Sequence, residues 1–368
     1  MPRPVGANVS VADPTLFEHT RDQLRALCAE NGFTDDTRPV ELLRHLLGPA
    51  GGRPLSAGPA WPTDVADDAT PVEFSVALDD SGDRAVRILG ETVGQPPGAA
   101  ENVAAARRFL DRTSATLGIP TGRFDALADL FLPEEPQGKF AFWYSLIFRP
   151  DGAAKLKVYF NPAVRGPERA PELVAEAFGR LGLHDAYDTA TQNAMVRGDA
   201  DTFSFFAVDL DDDPLSRVKL YISHDAATSD DAERAAKAVV GVEPERIREF
   251  CEVLGTDTGP FTGRPLVSSY SFVEAAPDGP ANYSLYLPVR SYVHDDAVAR
   301  ERVRTFLERH GADASTLDAA LRAVSRRPLA DGVGLLAHVS LRLGRYGTGT
   351  TVYLSSEAYD VPAPGTAL

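Results

Sequence analysis

A short cationic strand occurs twice in this chain and is echoed twice more. Lys155-Leu156-Lys157-Val158-Tyr159 and Arg217-Val218-Lys219-Leu220-Tyr221 share one order: cation, apolar, Lys, apolar, Tyr. Ser284-Leu285-Tyr286 and Thr351-Val352-Tyr353 keep the apolar residue and the Tyr. Side chains along a strand alternate faces, so the cations and the tyrosine point one way and the aliphatics the other. The four tyrosines stand 62, 65 and 67 residues apart, a period that suits a repeated supersecondary unit. A lone Lys-x-Tyr strand is usually a solvated sheet face. Two full copies and two echoes in matching contexts point instead to one shared interior face, furnished with cations and phenols as a polyanion would require.

The rest of the chain supplies the unit that repeats. Two helices are expected over about 13–47, then strands over Val72 to Leu78 and Ala85 to Gly90 joined at Ser81-Gly82. Helices over about 99–117 and 121–131 precede strands over 139–148 and 154–160. The same order follows with helices at 171–182 and 184–197 and strands at 202–209 and 215–223. Helices at 229–240 and 243–254 precede strands at 265–274 and 282–291, and helices at 295–310 and 314–325 precede strands at 333–343 and 350–357. This is helix, helix, strand, strand, five times, with no disordered linker, so residues 1–368 are expected to form a single domain. Ten strands joined mostly as hairpins should be antiparallel. Five equal units leave no obvious sheet edge, and closure into a barrel removes edges altogether. The expected fold is therefore α+β: five ααββ repeats forming a ten-stranded antiparallel β-barrel ringed by helices. Leu156, Val158, Val218, Leu220, Leu285 and Leu287 would face outward under the helices, leaving the lumen to Lys, Arg and Tyr. Ten strands give more room than the eight that side chains can fill.

Composition excludes several classes. There are 53 acidic against 37 basic residues, a net charge of -16, so no basic surplus exists for a nucleic-acid partner. Cys28 and Cys251 are isolated, with neither zinc nor disulfide-framework spacing, which suggests a reducing cytoplasm. No stretch reads as a signal peptide or membrane span. The seven histidines are scattered without ligand spacing, so no metal site is expected. Asp79-Asp80-Ser81-Gly82-Asp83 resembles the Asp-rich metal motif of chain-elongating isoprenyl synthases, but those acids need helical spacing and these flank a hairpin turn. Asp209, Asp211, Asp212 and Asp213 before Pro214 read as a charged turn, and Gly347-Thr348-Gly349 as a hairpin turn rather than a nucleotide loop.

The lumen chemistry follows from the alternation. Lys157, Arg217 and Lys219, with Arg87 from Val86-Arg87-Ile88, would converge in a low-dielectric tube. Buried cations need a counter-charge. The inward-facing acids are too few to supply it, whereas a diphosphate would. Tyr159, Tyr221, Tyr286 and Tyr353 would place ring faces around a carbocation, each worth roughly 0.5–2 kcal/mol, and keep water from it. Cations for a leaving diphosphate beside aromatics for an allylic cation imply prenyl transfer. Glu73, in Pro71-Val72-Glu73-Phe74-Ser75, is the one acid that stands out. A lumen carboxylate there would accept a hydrogen bond from an indole N–H; alternation alone equally allows it to face solvent.

At these residues the chain resembles the aromatic prenyltransferases of the ABBA or PT-barrel fold, in the dimethylallyltryptophan synthase branch and most like its bacterial indole members. The resemblance spans nearly the whole chain. It is strongest at Pro71–Ser75, Val86–Ile88, Lys155–Pro162, Arg217–Tyr221 and Tyr283–Pro288. It implies Glu73 as the indole N–H acceptor and Arg87, Lys157, Arg217 and Lys219 as diphosphate ligands. It implies Tyr159, Tyr221, Tyr286 and Tyr353 as a tyrosine shield. The last repeat offers Arg342 or Arg345 as its cation, and alternation with Leu341 and Leu343 favours Arg342. The catalytic Lys of fungal members has no counterpart in Phe140-Ala141-Phe142-Trp143-Tyr144, where Trp143 is either core or a wall of the aromatic pocket. The fourth repeat carries Ser284 where fungal relatives have a longer polar group. The implied activity is metal-independent transfer of a dimethylallyl group from dimethylallyl diphosphate to L-tryptophan or a related indole, at carbon 6, with carbon 4, carbon 7 and reverse N-prenylation as alternatives. A monomer or homodimer is expected, with no cofactor, nucleic acid or membrane partner. Other acceptors compatible with these residues are a phenol, a naphthol or a tryptophan-containing peptide. A non-catalytic barrel that binds an isoprenoid diphosphate is the alternative outside enzymology.

Overall fold

The computed structural model describes residues 13–78, 84–255, 257–274 and 279–367. The Ser81-Gly82 turn and the Asp79–Asp83 segment lie outside these residues. Ten strands close one barrel in which every neighbouring pair is antiparallel. They are β1 (Val72–Ala77), β2 (Val86–Gly90), β3 (Phe142–Phe148), β4 (Ala154–Phe160), β5 (Asp201–Asp209), β6 (Val218–His224), β7 (Leu266–Phe272), β8 (Asn282–Leu287), β9 (Leu336–Gly344) and β10 (Gly349–Ser355). Each strand pairs with its neighbours in sequence, and β1 closes on β10 with Glu73 opposite Ser355 and Ser75 opposite Tyr353.

Helices fill the connections between hairpins. α1 (Leu16–Glu30) and α2 (Thr37–Leu47) precede β1; α3 (Ala99–Leu117), α4 (Gly122–Asp125) and α5 (Ala128–Phe131) link β2 to β3. α6 (Ala170–Arg180) and α7 (His184–Ala194), α8 (Ser229–Ala236) and α9 (Pro244–Gly255), and α10 (Asp296–Arg309) and α11 (Ser315–Val324) link the later hairpins. None of these helices is long and apolar enough to cross a membrane. The expected helix over 121–131 is split, because Leu127 N–H bonds to Phe124 O at 3.0 Å and tightens the chain into a 3₁₀-like turn. The expected strand over 282–291 stops at Leu287. Pro288 has no N–H for the ladder, and a 3₁₀ turn over Val289–Tyr292 follows it.

The apolar core lies between barrel and helices. Phe74, Ile88, Val158, Leu220, Leu285, Val339 and Leu354 are fully buried on the outer face. Burying a side chain of this size is worth roughly 1.5–3 kcal/mol. Outward tyrosines also satisfy their hydroxyls there: Tyr144 donates to Ala106 O (2.7 Å) and Tyr270 to Ala235 O (2.9 Å). The loop after β2 is pressed onto α3. A Cβ on Gly94 would meet the Glu101 backbone at 2.6 Å, and Gly94 N–H bonds to Asn102 Oδ1 at 2.7 Å. Gly94→Ala should therefore cost roughly 1–3 kcal/mol of stability, read as a lower urea midpoint at unchanged slope; an unchanged midpoint would show that the loop yields freely.

Candidate active site

The order of residues within each strand sets their depth in the lumen. Among the described residues, the β3–β4, β5–β6 and β9–β10 turns lie at one rim, and β4 and β6 each run inward from it. Their cations therefore come first and their tyrosines deeper. With a rise of about 3.3 Å per residue, Tyr159 sits about 7 Å below Lys157, and Tyr221 likewise below Lys219. Arg87, near the start of β2, and Arg342, near the end of β9, enter from the same rim. Arg87 stands opposite Ser75 and Arg342 opposite Ser284.

At this rim, Arg87, Lys155, Arg217, Lys219, Arg342 and Asp209 line a cavity of about 340 Å³. Lys157 is only 4% exposed beneath it, and Lys219 8%. Arg345, the other candidate, sits in the exposed β9–β10 turn. Asp209 closes β5, within the strand expected over 202–209 and not in the charged turn after it, and it supplies an internal counter-charge, which corrects the expectation that inward acids are too few to do so. Its carboxylate lies 3.3 Å from Lys157 Nζ and accepts from Arg217 Nε at 2.8 Å and from the Arg217 N–H at 3.1 Å. Burial opposes ionisation of Asp209, but Lys157 and Arg217 outweigh it and hold its pKa well below the usual carboxylate range. Burial lowers Lys157 to about 8 against the pull of Asp209. Lys219 is displaced further: burial, then repulsion from Lys157 and Arg217, hold it well below an ordinary lysine, and no carboxylate pairs with it among the described residues. Lys155 shares the lumen face and pairs with Asp211 at 2.9 Å. The mouth thus holds more cationic capacity than its own acids neutralise.

Below the cations the four tyrosines form a continuous arc. Ring centroids are 5.8 Å apart for Tyr159–Tyr221, 5.8 Å for Tyr221–Tyr286 and 5.6 Å for Tyr286–Tyr353. Lys157 and Lys219 stand over the rings of Tyr159 and Tyr221 at 5.5 and 5.2 Å. Phe205 extends the arc at 5.6 Å from Tyr221 and was not singled out by the repeat. Its strand is shifted in register between Phe203 and Phe205, which interrupts simple alternation.

Beneath the tyrosines, a second cavity of about 420 Å³ opens toward the opposite rim. Glu73 faces it from the start of β1, with Trp143, Phe140 and Phe205 on one side and Arg290 and His338 on the other. Trp143 is therefore a pocket wall. It stacks on Phe140 at 4.1 Å and lies 5.5 Å from Phe205. Glu73 is 5% exposed, and its carboxylate lies 4.0 Å from His338 Nδ1. Burial pushes Glu73 up to about 8, with Arg290 opposing and Asp67 reinforcing the rise. Arg290 is itself held by Asp67 (2.5 Å) and Ala337 O (2.6 Å), and Arg264 also reaches Asp67 at 2.5 Å. Burial and the two arginines keep His338 well below its ordinary pKa, hence neutral. Sequence reasoning missed Asp67, Arg264, Arg290 and His338; three of the four lie outside the repeated strands. Among the described residues, no group of three or more His, Cys, Asp or Glu is placed to hold a metal ion.

Comparison with known proteins fits this architecture. A 6-dimethylallyltryptophan synthase from Micromonospora olivasterospora, solved with DMASPP and Trp, shares 50% identity over 95% of this chain and 99% of its own, with a TM-score of 0.91. The prenyltransferase PriB, solved with L-tryptophan and dimethylallyl thiolodiphosphate, shares 38% over 96% of this chain and all of its own (TM-score 0.88). A 5-dimethylallyltryptophan synthase from Streptomyces coelicolor shares 38% over 95% and 99% (TM-score 0.87). The family model for tryptophan dimethylallyltransferase matches residues 17–319, most of the barrel and its helices. By that match, and by relatives of 38–50% identity aligned over nearly their full length, this chain belongs to the tryptophan dimethylallyltransferase family.

Proposed function

We propose that this chain transfers the dimethylallyl group of dimethylallyl diphosphate to carbon 6 of L-tryptophan, without a metal ion. The observation that carries the reading is the vertical order of the lumen: cations at the mouth, a tyrosine arc beneath, and an aromatic chamber with one carboxyl below that. Arg87, Lys157, Arg217, Lys219 and Arg342 bind the diphosphate and stabilise it as the allylic C–O bond breaks. Their charges take the part that a divalent cation plays on a leaving diphosphate. Tyr159, Tyr221, Tyr286 and Tyr353 present ring faces to the allylic cation and exclude water. Glu73 accepts the indole N–H, which holds the ring against the cation and enriches it in electrons. Ring carbon 6 then forms the new C–C bond, and the arenium ion loses its proton to Glu73 through a bridging water. The products are the prenylated amino acid, diphosphate and one proton.

Carbon 6 is favoured over carbon 5 by the greater similarity to the 6-synthase (50% identity) than to the 5-synthase (38%). Both cysteines are buried free thiols, which suits the reducing cytoplasm where we expect the enzyme to act. The test is incubation with L-tryptophan and dimethylallyl diphosphate in EDTA. A mass gain of one C5H8 unit, with NMR placing it on carbon 6, is the expected result. Turnover that vanishes in EDTA and returns with magnesium would overturn the metal-free mechanism, and substitution at another carbon the regiochemistry.

A further inference from the structure

A second buried carboxyl lies behind the acceptor chamber. Glu91 follows the last residue of β2. In the β2–β3 ladder Gly90 faces Tyr144, so one further step sets Glu91 across from Trp143. Glu91 is 4% exposed, and the side chains of Thr63, Asn102 and Trp143 surround its carboxyl. Asn102 uses its oxygen to accept the Gly94 N–H, which leaves its Nδ2 donor for another partner. Four atoms here are sealed from solvent and make no direct hydrogen bond of ordinary length: Glu91 Oε2, Asn102 Nδ2, Trp143 Nε1 and Trp61 Nε1. Three are donors and one is a carboxyl oxygen, so their chemistry is complementary. Trp61, Glu91 and Asn102 also line one cavity of about 20 Å³, room for a single water. Polar atoms left unpaired in such a place are costly, and water commonly satisfies them.

We propose that Glu91 is a positioning residue which fixes the Trp143 indole through its N–H and so sets the wall against which the acceptor ring lies. The inference rests on reading the lower chamber as the acceptor site. Trp143 suits the role because its ring stacks on Phe140, contacts Phe205 and stands opposite Tyr159 in the β3–β4 ladder. A group gripping its N–H from behind controls the ring's tilt without touching substrate. Burial pushes Glu91 up to about 7, with Thr63, Asn102 and Trp143 opposing and Asp64 adding to the rise. The remaining charged neighbours are Lys139, paired with Asp64 at 2.9 Å, and the exposed Glu101 at the start of α3. The carboxylate that forms above this pH is the stronger acceptor for an indole N–H.

The chain has two tryptophans: Trp143 reaches this carboxyl and Trp61 lines the same small cavity as Glu91, so intrinsic emission reports on the site. The ligand-free protein should show an emission change with a midpoint near pH 7, and Glu91→Gln should abolish it. The same variant should raise KM for L-tryptophan about tenfold while KM for dimethylallyl diphosphate stays within about twofold, and Glu91→Asp should restore part of the loss. Glu73 lines the chamber with Trp143 and is pushed up to about 8, so the emission step is read in the Glu73→Gln background; a step near pH 7 that persists there after Glu91→Gln, or an equal rise in both KM values in the single Glu91→Gln variant, overturns the proposal. Should Glu91→Gln fail to fold, Trp143→Phe keeps an aromatic, though smaller, wall and removes the N–H donor. It should raise only the tryptophan KM, and an unchanged value overturns the proposal. The emission titration needs no turnover, so a protein that titrates as expected but does not prenylate tryptophan refutes the assigned activity while upholding the Glu91–Trp143 contact.

Discussion

Replacing Glu73 with Gln is expected to lower kcat by roughly 10²–10⁴-fold while the barrel stays folded, because the change removes the proposed general base yet keeps the side chain's shape. The pH dependence has a definite sign. Burial raises the free-enzyme pKa of Glu73 to about 8, so its carboxylate forms only as pH rises through that value. If the carboxylate is the working form, kcat/KM for L-tryptophan climbs through about pH 8 and then levels, and Glu73→Gln loses that limb. His338 and Arg290 face the same carboxyl, and both keep one charge state across this range: His338 is held neutral and Arg290 stays cationic beside Asp67. Stability should move the other way. A carboxyl whose folded pKa exceeds its unfolded value costs stability increasingly as pH rises from the unfolded value to the folded one. Glu73→Gln should thus melt higher than the parent at pH 8 and show little difference at pH 4. Near-normal turnover would remove Glu73 from the chemistry. Equal melting shifts at both pH values would show that its ionisation is not coupled to folding.

The second large effect is expected at Lys219. Burial and the repulsion of Lys157 and Arg217 depress its pKa, so the unfolded chain binds more protons at this position than the folded one. Its penalty is present at neutral pH and fades as pH rises toward the unfolded lysine value near 10. Lys219→Met keeps the volume and removes the penalty, so the ligand-free variant should melt higher than the parent at pH 7. Donor binding should suffer in return. Losing one charge-assisted contact to a diphosphate should cost roughly 1.5–3 kcal/mol, or about ten- to a hundredfold in the Kd of dimethylallyl thiolodiphosphate. In the parent, the bound anion raises the pKa of Lys157 and Lys219, so calorimetry in buffers of different ionisation heat should register proton uptake on binding at pH 8. Lys219→Met should reduce that uptake. A variant with unchanged Kd and unchanged proton uptake would place Lys219 outside the donor site.

Much of the barrel was legible in the chain because its governing interactions are local and periodic. Val158 and Leu220 alternate with Lys157, Tyr159, Lys219 and Tyr221 over two residues, and the period of 2 forces the two sets onto opposite faces wherever the strand sits. Repeating that unit at a near-constant interval leaves few ways to bury five aliphatic faces other than closing them beneath helices. The order of cation before tyrosine is written along β4 and β6, but it becomes a layering of the lumen only because both strands start from the same rim. Misjudged boundaries fell where local geometry outweighs pattern, as at Pro288 and at the Phe124–Leu127 turn.

Readable from the chain alone were thus the barrel, the outward core, and the cations and tyrosines that share the inward face. Which charges meet depends on how the strands and loops close in space. Asp209 looked like one acid among four at a turn, and its role as the partner of Lys157 and Arg217 depends on β5 lying between β4 and β6. Asp67, Arg264, Arg290 and His338 come from four separate stretches of chain and share no period, yet they converge on the chamber that holds Glu73. Glu91 was invisible for the same reason: a carboxyl in a loop gains meaning only when an indole, an amide and a hydroxyl close around it. Alternation is a property of neighbours along the backbone and survives in one dimension. Convergence of distant loops at a barrel rim is set by closure of the whole sheet, which no local stretch of sequence encodes.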